Sequence, residues 1–153
     1  MFDRRVAKWH IRIRLVGLLD TLNSFLSLSK TSVAERQKHA LNRIQEALVY
    51  LMGEVATDDK DVERFYEFYH SLSESDVNQL EELTNRLEAD GSQFQSWVAE
   101  MEVSKGFADA ARTFARQAES LMWELISETN TRPLLARWLN RLSDYLWALS
   151  RSD

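Results

Sequence analysis

Apolar residues recur every three or four positions along most of this chain, the spacing that gathers side chains on one face of an α-helix. Leu15, Leu18, Leu19, Leu22, Phe25 and Leu26 mark a first helix over residues 12–28. A polar break, "SKTSVAE", follows, with Ser32 and Glu35 spaced as a capping box. Leu41, Ile44, Leu48 and Leu51 then mark a second helix that ends in the acidic turn "ATDDKD". Val62, Phe65, Tyr66 and Tyr69 predict a short aromatic helix; Ser73 and Asp76 open a longer one through Val77, Leu80, Leu83 and Leu87, with Gly91 at its C′ position. Residues 92–106 lose the period and read as a loop with a partial helix, ending at Gly106. The period returns over residues 108–128 through Ala111, Phe114, Ala115, Ala118, Leu121, Met122 and Leu125. Asn130 or Thr131 then caps a last helix with Pro133 in its first turn.

No stretch carries a strand signal, and four Gly and one Pro leave few breaks for hairpins. The expected architecture is therefore all-α: a five-helix bundle, four long helices and a short one, forming a single domain over residues 1–153. No internal repeat or low-complexity tract interrupts it.

Composition narrows the function classes. With 44% hydrophobic and 28% charged residues the chain has the make-up of a folding globular protein. A net charge of −5 argues against binding nucleic acid through its backbone. The absence of cysteine rules out disulfides, thiolate chemistry and Cys/His metal sites, and fits a reducing, cytoplasmic setting. The basic start "MFDRRVAKWHIRIR" lacks the apolar run and cleavage site of a signal peptide. No window reaches the ~18 consecutive apolar residues of a membrane span.

Short polar residues border the apolar stripes at three places: Asp20 and Asn23 in the first helix, Arg112, Arg116 and Glu119 at i, i+4 and i+7 in the fifth, and Asn140 and Asp144 in the last, where Ser143 lies beside them. Taken singly, each is explained by a solvated face or a satisfied buried pair. Together they point to a site, because two arginines one turn apart form a fork suited to phosphate or carboxylate and an Asn suits a nucleobase or ribose. His10, His39 and His70 are scattered and read as structural or exposed. The Trp and Tyr residues read as core or interface. No Ser–His–Asp order, phosphate loop, dinucleotide fingerprint or zinc spacing is present.

The segments "RRVAKWHIRIRLVGLLDTLNSFLSL", "NRIQEALVYLMGEVAT", "ARTFARQAES" and "LNRLSDYLWALSR" resemble, in order and spacing, the PduO-type ATP:corrinoid adenosyltransferases. Between them, "LSESDVNQLEELTNRLEADGSQFQSWV" looks like that family's link into its corrinoid loop, so the resemblance runs from Arg4 to Arg151. It implies a homotrimer of helical bundles with ATP held between subunits, accompanied by Mg2+ in active members. It also implies a reaction in which reduced corrinoid cobalt attacks the ribose C5′ of ATP and triphosphate leaves, with the protein supplying position and electrostatics. By position, Asp20 would pair with Arg112 across the interface; Lys8 and Arg116 would contact phosphates, Asn140 would help hold the nucleotide, and Glu119 would orient the arginines. Trp97 falls where the family has a Phe that packs on the corrin.

The chain also departs from the pattern. Active members begin with a segment like "YTKTGDKGTTSL" that wraps the triphosphate, where this chain reads "MFDRRVAKWH". Gln117 and Ser120 stand where the family has arginines, and Arg14 where it has a glutamate. The corrinoid loop reads "WVAEMEV", with Glu100 and Met101 in place of Pro and Gly. Arg4, Arg5, Arg12 and Arg14 are the cations that could compensate. The expected function is that of a divergent relative which binds a nucleotide, ATP or a nucleotide-like ligand, with adenosyl transfer impaired or lost. The alternatives are an active ATP:cob(I)alamin adenosyltransferase, and a structural helical oligomer without a small ligand. Cobalamin, nucleotide and further copies of the chain are the expected partners; nucleic acid and membrane are not.

Overall fold

The computed structural model describes residues 5–90 and 102–152. Among them lie six α-helices and no strand: α1 (Ile11–Ser29), α2 (Glu35–Ala56), α3 (Val62–Phe68), α4 (Glu74–Ala89), α5 (Val103–Glu128) and α6 (Pro133–Leu149). The all-α expectation is met, but with one helix more than the five anticipated: α3 is the short aromatic helix expected, and the long helices are five rather than four. What separates α3 from α4 is a cap: the Asp76 carboxylate accepts from the Ser73 backbone N–H at 2.8 Å and from its hydroxyl at 2.7 Å, starting a new helix.

Other boundaries move for equally local reasons. The Ser32–Glu35 box does not form; Ser32 closes a 3-10 turn, Lys30–Ser32, where its hydroxyl donates to the Ser29 carbonyl at 3.3 Å, and Ala34 is the N-cap of α2. α5 begins at Val103, so Gly106 lies inside the helix rather than ending a loop. Pro133 is the first residue of α6 as predicted, but Arg132 is its N-cap. Asn130 and Thr131 are engaged elsewhere: the Asn130 N–H donates to Asp59 at 3.0 Å, and the Thr129 and Thr131 hydroxyls bond to each other at 2.8 Å. Gly91 and residues 92–101 lie outside the described residues.

The stripes read from the sequence form the core. Leu15, Leu19, Leu22 and Leu26 of α1 are fully buried, as are Leu135, Leu139, Leu142 and Leu146 of α6, each contributing roughly 1.5–3 kcal/mol by leaving water. α5 runs between them and meets both with Ala111, Ala115 and Ala118, whose small side chains permit close approach. α2 flanks α1, and α4 flanks α6.

Two ion pairs, each with one buried member, fasten the chain where α1, α2 and α3 meet the α5–α6 connection. Arg12, 6% exposed, donates to the Val55 carbonyl at 2.9 Å and to the Asp59 carboxylate, which also accepts the Asn130 N–H. Glu54, 4% exposed, accepts two bonds from Arg132 at 2.7 and 2.6 Å and one from the Tyr66 hydroxyl at 2.7 Å. Arg132 also donates to the Leu72 carbonyl at 3.0 Å and stacks over the Tyr66 ring at 5.3 Å. The carboxylate bond holds the Arg132 guanidinium protonated to still higher pH than usual. Burial first, and then the bond to Glu54, push the Tyr66 phenol up to about 12.

Candidate functional site

Each short polar residue of α6 has a partner. The Ser143 hydroxyl, buried, donates to the Asn140 carbonyl one turn back at 2.7 Å, which satisfies it without a ligand. Asp144 pairs with Arg141 at 3.0 Å. Asn140 behaves differently, reaching across to α5, where its amide donates to Glu119 Oε1 at 3.2 Å. The other Glu119 oxygen faces Arg116 at 3.7 Å. Three residues singled out from the sequence, Arg116, Glu119 and Asn140, thus form one cluster on adjacent helices.

Glu119 is the hub of that cluster. Its side chain is 16% exposed whereas that of Arg116 is 59% exposed, so the carboxylate anchors inside and the guanidinium projects outward. Arg112 lies one turn earlier on the same face of α5, its side chain 23% exposed. Its Nε donates to Asp109 at 2.8 Å, and Arg151, stacked on the Trp147 ring at 4.6 Å, adds a second cation 3.7 Å from that carboxylate. Asp109 and Arg151 were missed from the sequence. Asp109 stands three residues before Arg112, a spacing that predicts an ion pair, whereas nothing local points to Arg151.

The remaining candidates are not drawn into this cluster. Asp20 is exposed on α1, and Asn23 is tied to α2 through Gln45, whose amide donates to its side chain at 2.7 Å. Lys8 is exposed in the turn before α1, where His10 caps the helix by accepting the Arg12 N–H at 3.3 Å. Trp97, Glu100 and Met101 lie outside the described residues, as does Arg4. One compensation fails outright: Arg12 cannot serve a ligand, because it is buried and bonded to Val55 and Asp59. Arg14 is half exposed and faces Glu124 at 4.0 Å. Among the described residues no group of acidic or His side chains could hold a metal ion, and no helix is long and apolar enough to cross a membrane.

Fold and cluster together define an all-helical bundle with a guanidinium, a carboxylate and a carboxamide joined across two packed helices. The chain belongs to the cobalamin adenosyltransferase family, whose model matches residues 1–152. The corrinoid adenosyltransferase PduO of Salmonella typhimurium is 34% identical over 157 residues, covering 98% of this chain and 44% of that protein. Its counterpart in Citrobacter freundii is 31% identical over the same shares of each chain. The corrinoid adenosyltransferase of Bacillus subtilis is 28% identical over 96% of this chain and 76% of that protein. This chain therefore spans less than half the length of the first two relatives. Among solved structures, a variant PduO-type ATP:corrinoid adenosyltransferase from Lactobacillus reuteri, complexed with cobalamin and ATP, has a TM-score of 0.82 at 25% identity, covering 95% of this chain and 81% of that one. A second variant from the same organism, complexed with ATP, has the same TM-score at 21% identity, a likeness of fold alone.

Proposed function

We propose that this chain is a divergent cobalamin adenosyltransferase-like protein that holds a nucleotide, ATP or a nucleotide-like ligand, between the subunits of a homotrimer, with adenosyl transfer impaired or lost. Its single domain carries the site. The observation that carries this reading is the Arg116–Glu119–Asn140 cluster, in which a half-buried carboxylate faces an outward guanidinium beside a carboxamide. Arg112 and Arg116 offer two guanidinium forks one turn apart to phosphate oxygens, and Lys8 a third cation. Asn140 holds the sugar or base end, and Asp20 of a neighbouring subunit completes the Arg112 pairing. Bound cobalamin would supply the cobalt nucleophile.

Impairment follows from the cations that are lacking. Gln117 and Ser120, both exposed on α5, are neutral where the family pattern has arginines, and Arg12 is committed to the fold. Two absent charge-assisted bonds, each about 1.5–3 kcal/mol, weaken triphosphate binding roughly 10²- to 10⁴-fold. A thermal-shift titration with ATP and Mg2+ tests the reading. A ligand at 100 times its Kd adds about 2.7 kcal/mol of stability, and Arg116→Ala removes that gain. A shift unchanged in Arg116→Ala overturns the site. No shift with any nucleotide favours a purely structural oligomer, and a cobalt–carbon bond formed from reduced cobalamin and ATP overturns the impairment.

A further inference from the structure

α2 packs on α1 and α4 on α6, and between α2 and α4 runs a groove of about 320 Å³. None of the residues of the nucleotide reading lines this groove, so it is unassigned. Its floor is apolar, formed by Ile44, Leu80 and the ring of Trp138, which is 1% exposed. Its walls carry cations: Arg36 and Arg43 stand at i and i+7 along one face of α2, with His39 between them, and Arg86 lines the groove from α4.

Arg36 and Arg86 also line a smaller cavity of about 30 Å³ that continues the groove along the same two helices, beside the buried Tyr145. The Arg36 charge is felt at the Tyr145 phenol, which burial raises and Arg36 lowers. Arg36 is the second residue of α2, where the helix dipole disfavours a cation, so its position is not explained by helix stability. Glu46, Asp76 and Asp90 border the two cavities, but the Asp76 carboxylate is engaged in capping Ser73. Arg86 has Glu82 at 3.6 Å with both side chains more than half exposed, a pairing weak enough to exchange for a better anion.

We propose that this groove is a second ligand site, binding a small organic anion whose planar apolar body rests on the accessible side chains of Ala47 and Leu83, above the buried Trp138, and whose phosphate or carboxylate is held by Arg36 and Arg86. The volume suits one ring system, near the lower end of small-molecule sites. Two guanidinium forks lining the same two cavities favour a tetrahedral or planar oxyanion over an ammonium or a neutral group.

The test is a titration of the intact chain with 1-naphthyl phosphate, following the Trp138 indole N–H and the α2 and α4 amides by ¹H–¹⁵N NMR. Saturable shifts at Trp138 and along both helices are expected, with inorganic phosphate and 2-naphthol each binding at least about tenfold more weakly. The double variant Arg36→Gln/Arg86→Gln raises the Kd at least about tenfold, and Arg43→Gln raises it less. Arg116→Ala leaves it unchanged, which separates this site from the nucleotide reading. The proposal is overturned by the absence of saturable shifts, by equal affinity for inorganic phosphate, by a Kd unchanged in a folded double variant, or by loss of binding in Arg116→Ala.

Discussion

Glu54→Gln keeps the shape of a buried side chain and removes its charge. Its carboxylate is 3% exposed and accepts three hydrogen bonds, two from Arg132 and one from the Tyr66 hydroxyl. The amide retains one acceptor oxygen, which at the Oε1 position keeps both the Arg132 Nε bond and the Tyr66 bond. At the other, an N–H₂ group now faces the Arg132 guanidinium. Breaking one side of a buried pair costs about 3–5 kcal/mol. The Arg132 side chain is 33% exposed, and solvent screens part of that loss, which brings the expected destabilisation to about 2–4 kcal/mol. For a chain of this length that lowers Tm by roughly 4–16 °C. Differential scanning calorimetry at one fixed protein concentration measures it, because assembly would otherwise shift Tm by mass action. Adding Arg132→Met to the variant should restore part of the loss, since no buried charge is then left unpaired. A Tm within about 2 °C of the parent for Glu54→Gln would refute the view that this pair fastens α2 and α3 to the start of α6.

The second buried pair gives an ordering of variants: Asp59→Ala leaves Arg12 with only the Val55 carbonyl and costs about 3–5 kcal/mol, whereas Arg12→Met removes the charge itself and costs less in the same urea titration. Equal losses would contradict the argument from the unpaired charge. Tyr66 holds its proton more tightly in the fold than in the unfolded chain, so its contribution is complete below pH 10 and is lost as pH rises toward about 12. The stability difference between the parent and Tyr66→Phe should be flat below pH 10 and shrink above it; a difference that widens there contradicts the assignment. Gly106→Ala in α5 meets nothing within 4 Å and should add about 0.5–1 kcal/mol from helix propensity. Gly53→Ala places its Cβ 3.1 Å from the Phe65 ring, which is 5% exposed, so the same gain is offset and chemical denaturation should show none.

Helix positions were legible because each leucine in a periodic run reports its own burial, with no knowledge of what it packs against. Polar residues carry no such report. Glu54 sits among Leu48, Leu51 and Val55, and Arg12 precedes Leu15 and Leu19, so the pattern does mark both as charges facing the core. Their partners stand 78 and 47 residues away, a separation that no spacing rule bridges. That is why Arg12 was counted among cations available to a ligand when it serves the fold. The missed cap of α2 has a local origin instead, since the Ser32 hydroxyl bonds back to the Ser29 carbonyl within a 3-10 turn. Within the candidate site, Arg116, Glu119 and Asn140 were legible through a family pattern and Asp109 through its spacing to Arg112, while Arg151 was not, because its partner Asp109 lies on α5, far away in sequence. Two arginines with the same helical surroundings can thus serve opposite ends, and burial separates them. Arg12, 6% exposed and bonded to two acceptors, is closed to any ligand. Arg116, its side chain 59% exposed and touched by a single carboxylate oxygen at 3.7 Å, keeps most of its five donors toward solvent and can still take an anion.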